Sequence, residues 1–369
     1  MTVPFVDLKR DMAPFRAKIQ RDVETALFEE TDYVLGQALT EFENEFASYI
    51  GVRHCIGVAN GTDALEIAIQ SLNLPSDSEI LTQANTYVAT CFGISRNGHN
   101  IGLVDIEPNT YQLDLDLLEQ RISPQTRAVI VVHLYGASCD MVRLMDIIQK
   151  HKLVLIEDCA QSHGAYFGER RLGTFGQLST FSFYPGKNLG ACGDGGAVCC
   201  DNATLCEHVR MIRNNGGVIK YQHKVLGRNS RLDTVQAVIL RTKLSYLDEY
   251  NSRRRKLAQL YHELLKDCKG VQLPCIQSNC LPVYHLFVIR TVWRDELLSH
   301  LRKHRIGVGI HYPNPIHMLP CFDSWFTAPS FPNAERNSRT ILSLPMFATL
   351  TEEEVRSVCA EIVEFLSEV

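Results

Sequence analysis

The chain has no apolar run approaching the roughly 18 residues of a membrane-spanning helix. Its first ten residues carry Asp7 early and no long apolar core, so they do not read as a secretory leader. Positive charge is not in excess. Lys and Arg total 37 against 42 Asp and Glu, a formal net charge of -5. That removes any electrostatic argument for nucleic acid or a membrane surface as partner. No C-x-x-C pair occurs, and the 13 cysteines are odd in number. Cys91, Cys199, Cys200 and Cys206 lie within apolar segments and are expected to be buried free thiols in a reducing cytoplasm. The 13 histidines show no H-E-x-x-H and no other zinc spacing, so no metal is expected. Tandem repeats, low-complexity tracts and long Gly/Ser linkers are missing too. So is the G-x-G-x-x-G spacing of a dinucleotide-binding turn.

What is present is a soluble composition, 45% hydrophobic and 21% charged, in a chain of 369 residues. That length exceeds one usual domain, so two are expected, 1–247 and 248–369. From about Leu65 to Cys200, short apolar runs alternate with helical periodicity. The runs at Ile101 to Asp105, Ala128 to His133 and Leu153 to Asp158 read as strands. Met141 to Lys152 reads as a helix with Leu144, Ile147 and Ile148 on one face. This alternation predicts an α/β fold with a mostly parallel sheet covered on both sides. Beyond it, Leu232 to Leu247 reads as helix. The basic cluster Arg253 to Lys256 reads as a solvated helix face. Val283 to Val292 and Val308 to Tyr312 read as strands, Asp295 to His304 as helix. Thr351 and Glu354 form a capping box for a last helix, with Leu350 and Val355 as its staple. These elements predict a smaller α+β domain.

Two residues carry the chemistry. Asp158 closes an apolar strand, where α/β sheets bind ligands at their carboxyl ends. The competing reading of Asp158 is an N-cap for a following helical turn. Lys187 follows the apolar run Leu178 to Tyr184 and sits in a Pro-Gly turn, with Gly190, Gly193, Gly195 and Gly196 after it. Such glycine density predicts backbone packed close to a ligand. A buried acid and a lysine so placed are what pyridoxal 5'-phosphate requires. The lysine forms a Schiff base with its aldehyde, and the acid keeps its ring nitrogen protonated. Asn60-Gly61-Thr62 opens a helical pattern and offers free N–H groups and a hydroxyl to a phosphate.

Together these segments resemble the sugar aminotransferases of the DegT/StrS type, which share the aspartate aminotransferase fold (fold type I). The likeness runs from Pro4-Phe5-Val6-Asp7-Leu8 to Leu344-Pro345-Met346-Phe347. Phe183 to Gly190 and Gly309-Ile310-His311-Tyr312-Pro313 look like the branch that aminates carbon 3 of nucleotide-linked 3-keto-6-deoxyhexoses. The resemblance implies Lys187 as Schiff-base lysine, Asp158 as pyridinium partner and Gln161 near the ring hydroxyl. It implies Gly61, Thr62 and Ser182 at the phosphate and Tyr87 stacked on the ring. Asn229 would reach the phosphate from a second subunit of a homodimer. Tyr184, His311, Tyr312 and, across the dimer, Lys220 would meet the sugar nucleotide, with L-glutamate as amino donor. Cys159 and Cys192 replace small or apolar residues and are expected to affect packing only. Action on a 4-keto sugar is the alternative within this class; a pyridoxal-phosphate-binding regulator without turnover is the alternative outside it.

Overall fold

The computed structural model describes residues 2–326 and 330–369. A seven-stranded sheet lies at its centre. Its strands are β1 (His54–Val58), β2 (Glu79–Gln83), β3 (Asn100–Val104), β4 (Thr126–Val132), β5 (Val154–Asp158), β6 (Leu178–Ser182) and β7 (Gly196–Cys200). In space they run β1-β7-β6-β5-β4-β2-β3. Strands β3, β2, β4, β5 and β6 pair in parallel, while β7 is antiparallel to β6 and β1.

Helices α1 (Gln37–Ile50), α2 (Gly61–Ser71), α3 (Val88–Ser95) and α4 (Met141–His151) cover the sheet. The period-2 alternation of β4 assigns the faces. Val129 and Val131 join the cluster containing Phe42 of α1 and Leu144 of α4. Ala128 and Ile130 join the cluster containing Ile69 of α2 and Ile94 of α3. Both faces are therefore apolar, which is why the strands read as continuous hydrophobic runs. Phe46 packs edge-on to Phe181 and Phe183, whose ring centroids lie 5.0 and 5.3 Å away. Those contacts brace β6 and the turn that follows it.

The chain continues through α5 (Thr234–Leu244) and α6 (Leu247–Leu265). A third apolar cluster joins the far end of α6 to β8 (Phe287–Arg290), α7 (Arg294–Lys303), β9 (Ile341–Leu344) and α8 (Glu352–Ser367). Strands β8 and β9 pair antiparallel. The capping box holds: Thr351 Oγ1 accepts from Glu354 N at 3.1 Å, and Glu354 accepts from Thr351 N at 2.8 Å. The N-terminal segment also packs on this cluster. Gly307 N donates to Val3 O at 2.8 Å, and Arg10 pairs with Glu354 at 2.7 Å.

Several readings of the sequence need correction. The helix expected over Leu232 to Leu247 is broken at Ser245-Tyr246. The strand expected over Val283 to Val292 shrinks to β8, because Val283 N and Leu286 N bond to Gly136 O and Tyr135 O instead. Val308 to Tyr312 makes only a bridge at Gly309 to Ser343. The basic cluster is not a uniformly solvated face. Arg254 is buried and donates to Met346 O at 2.9 Å, so it ties α6 to the segment after β9. The segment Asn214 to Arg231, which carries Lys220 and Asn229, contains a short hairpin, Gly217–Ile219 with Gln222–His223. Cys91 and Cys199 are buried and free as expected, but Cys200 and Cys206 form a disulfide between the end of β7 and the helix Ala203–Arg213.

Candidate active site

A cavity of about 750 Å³ opens at the carboxyl edge of the parallel strands. Gly61, Thr62, Tyr87, Asp158, Gln161, Ser182, Tyr184, Lys187, His311 and Tyr312 all line it. Lys220 and Asn229 lie outside it: Lys220 sits on the exposed hairpin, and Asn229 bridges Asn214.

Strand β5 delivers Asp158, which is buried. Its Oδ1 accepts from Ala160 N at 3.1 Å and its Oδ2 from the Thr90 hydroxyl at 3.0 Å. Burial pushes the carboxyl up from its ordinary range; those two hydrogen bonds and the Lys187 charge only partly oppose it. The segment after Asp158 forms turns, not a helix, so the N-cap reading fails.

Lys187 stands in the turn after β6, where Lys187 N donates to Tyr184 O at 2.8 Å. Desolvation lowers its ammonium from 10.5 to about 8, against the opposing pull of Asp158. Of the glycines that follow, Gly190 closes this turn and Gly196 admits the residues at the start of α2. A Cβ on Gly190 would lie 2.3 Å from Pro185 O, and one on Gly196 would lie 2.4 Å from Asn60 O. They let the lysine turn and the start of α2 approach each other.

Asn60 caps α2, accepting from Asp63 N at 2.8 Å. The first N–H groups of α2 thus face the cavity beside the Ser182 hydroxyl. A Cβ on Gly61 would lie 2.6 Å from Ser182 Cβ, so only glycine permits this approach. Gln161 is fixed at both ends: Oε1 accepts from Tyr135 N at 2.6 Å, and Nε2 donates to Tyr312 OH at 3.1 Å. Tyr87 is 54% exposed, with its ring 5.5 Å from that of Tyr312. His311 stacks on Phe5 at 5.6 Å and bonds Ser343 Oγ at 2.9 Å; burial and then Lys187 lower it to about 4, so it is neutral.

Some residues of the site are not legible in the linear pattern. Thr90 lies inside α3, and no spacing links it to Asp158. His285 lines the cavity from the segment before β8 and bonds Asn188 Oδ1 at 3.2 Å. His163 is buried among Phe181 and Phe183 and is held neutral, lowered to about 3 by desolvation and then by Lys187. Only Asn60 had a readable signal, as an Asn two residues before a helix-opening Thr.

An acid, an amine of depressed basicity and an anion cradle thus converge in one cavity. Residues 15–363 match the DegT/DnrJ/EryC1/StrS aminotransferase family. The chain belongs to that family. Members are pyridoxal-phosphate-dependent aminotransferases of fold type I, and so is this chain. It is 41% identical over 372 residues to the dTDP-3-amino-3,4,6-trideoxy-alpha-D-glucose transaminase of Streptomyces venezuelae, covering 100% of this chain and 97% of that one. It is 42% identical over 356 residues to the dTDP-3-amino-3,6-dideoxy-alpha-D-galactopyranose transaminase of Aneurinibacillus thermoaerophilus, covering 96% and 97%. The crystal structure of S. venezuelae DesV in complex with a ketimine intermediate superposes with a TM-score of 0.97 at 40% identity, over 100% of this chain and 99% of that one.

The depressed Lys187 has a consequence for stability. Between pH 8 and 10.5 the unfolded chain binds this proton more readily than the folded one, so stability rises with pH across that window. Below pH 8 the folded state carries a buried ammonium, at a cost of at most roughly 3 kcal/mol. Cofactor-free Lys187→Met is expected to resist urea better than the cofactor-free parent at pH 7, by no more than this amount. Asp158 loses its counter-charge, which subtracts from the gain. The difference should vanish above about pH 10.5. Equal stability at both pH values would show that Lys187 is solvated as an ordinary surface amine.

Proposed function

We propose that this chain moves an amino group from L-glutamate to carbon 3 of a dTDP-3-keto-6-deoxyhexose, giving a dTDP-3-amino-3,6-dideoxyhexose. The observation that carries the reading is Asp158 and Lys187 lining one cavity beside the α2 cradle, in a chain over 40% identical to two dTDP-3-amino-sugar transaminases.

The residues present fit pyridoxal phosphate. A carboxylate raised by burial lacks a strong cationic partner, and a ring N–H⁺ is that partner. The Gly61–Ser182 approach leaves an anion cradle at the start of α2. When bound, the cofactor supplies an electron sink for the carbon bearing the nitrogen. In our reading Asp158 keeps the ring nitrogen protonated, and Thr90 and Ala160 N–H aim it. Gly61, Thr62 and Ser182 hold the phosphate, Tyr87 covers the ring face, and Gln161 meets the ring hydroxyl. Lys187 holds the cofactor aldehyde at rest. Once displaced, its amine, lowered to about 8 by burial and so free in mildly alkaline solution, would take a proton from the donor α-carbon and return it to the carbon on the other side of the nitrogen. The sequence reverses with the ketosugar, which requires ping-pong kinetics. Tyr184, His311 and Tyr312 receive the sugar nucleotide.

Incubation with glutamate and each of the 3-keto and 4-keto dTDP-sugars tests the substrate. Product NMR is expected to place the amine at carbon 3; an amine at carbon 4 would overturn the reading.

We further propose a cytoplasmic homodimer, with a division of each chain near Leu247, in which Asn229 and Lys220 complete the neighbour's site. Mixing inactive Lys187→Ala chains with inactive chains carrying Asn229→Ala and Lys220→Ala is expected to restore activity. Each mixed dimer then has one site with every lesion and one with none. No recovery after proven subunit exchange would sink the shared-site arrangement.

A further inference from the structure

His300 and His304 lie four residues apart on α7 (Arg294–Lys303) and at its C-cap, on the same face of the helix. Glu361 meets them from α8 (Glu352–Ser367). Their facing atoms form a tight triangle. His304 Nδ1 is 3.1 Å from His300 Nε2 and 2.9 Å from Glu361 Oε2, and His300 Nε2 is 3.3 Å from the same oxygen. The edge of a tetrahedral zinc site with bonds of 2.0–2.1 Å is about 3.3 Å long. All three edges are thus close to what one ion would require, and the three ligating atoms already converge.

We infer that His300, His304 and Glu361 form a site for a divalent transition ion of the zinc class, which pins α7 to α8. Two imidazoles and one carboxylate are a set that zinc accepts, with water in the fourth position. Magnesium and calcium demand more oxygen ligands and are poorly served. The site has access and support. The His304 side chain is 41% exposed, whereas His300, at 19%, has its ring 5.1 Å from Phe365. The other trio of this kind among the described residues, His133, Glu157 and Cys159, is different. The Glu157 carboxylate there is already saturated by the N–H groups of Gly173, Phe175 and Gly176. The His-x-x-x-His pair also revises the expectation that no zinc spacing exists. The spacing is in the chain, and the third ligand comes from 57 positions later in numbering, Glu361 against His304, so no local motif displays it.

The test uses holoenzyme, stripped with chelator and dialysed, then titrated calorimetrically with zinc sulfate and, separately, with magnesium chloride. One equivalent of zinc should bind, and the melting temperature should rise by at least about 2 °C at saturation. Magnesium should do neither. Glu361→Gln, which keeps the shape of the side chain, and the more exposed His304→Ala should each weaken zinc binding by at least about tenfold. Both should remove the thermal shift and leave transamination unchanged. Failure to take up zinc would overturn the inference. So would uptake that both variants retain, because the exposed thiols of Cys192, Cys275 and Cys321 or the cofactor phosphate would then be the ligands.

Discussion

Lys187→Ala is expected to lower turnover by at least about 10³-fold while the chain still folds and still binds cofactor through the α2 cradle. The magnitude follows from two losses at one atom. The covalent tether to the aldehyde disappears, and so does the amine that shuttles the proton. Among the described residues the neighbouring imidazoles, His285 included, are too weakly basic to replace it. His311, lowered to about 4, and His163, lowered to about 3, are neutral, and the His163 ring is packed among aromatics. Single-turnover reaction with glutamate, followed by the cofactor's absorbance, measures the loss directly. Circular dichroism checks the fold. Borohydride reduction of the parent followed by peptide mapping should place the label on Lys187, and labelling at another lysine would refute the assignment. Near-parental turnover in the variant would do the same.

Asp158→Asn should slow both half-reactions by roughly 10²- to 10³-fold, with little change in stability. The electrostatic term is the reason. The amide oxygen at this position can still accept from Ala160 N, and the amide NH2 can donate to the Thr90 hydroxyl, so the turn survives. It cannot keep the ring nitrogen protonated, and preorganised charge of this kind is worth about 10²–10³ in rate when removed. Had Asp158 served as a helix cap, Asn would substitute almost without cost. A variant that turns over normally would therefore make Asp158 structural. Thr90→Val offers a gentler version: it removes one of the two hydrogen bonds that aim the carboxylate, and a smaller loss of rate with unchanged cofactor binding should result.

The sequence alone specified the local chemistry. Short apolar runs alternating with amphipathic helices required a parallel sheet covered on both faces, and β4, with its two faces in two different clusters, is that pattern realised. Asp158 at a strand end, Lys187 in its turn and Gly61-Thr62 at a helix start are legible because turn and cap preferences act within a few residues. Tertiary structure decided what depends on pairing between distant segments. Nothing in the local pattern states that β7 inserts antiparallel between β1 and β6, or that Thr90 and His285 arrive beside Asp158 and Lys187. The boundaries that failed share that cause. Val283 to Leu286 has the composition of a strand, but the N–H groups of Val283 and Leu286 are claimed by the carbonyls of Gly136 and Tyr135, far away in sequence. Arg254 reads as surface charge until the carbonyl of Met346 removes it from water. Cys200 and Cys206, and His304 and Glu361, likewise meet only because a strand or helix is packed where it is. Period and turn chemistry are properties of neighbouring residues. Register, burial of a charge and convergence of side chains from separate elements are properties of the packed chain.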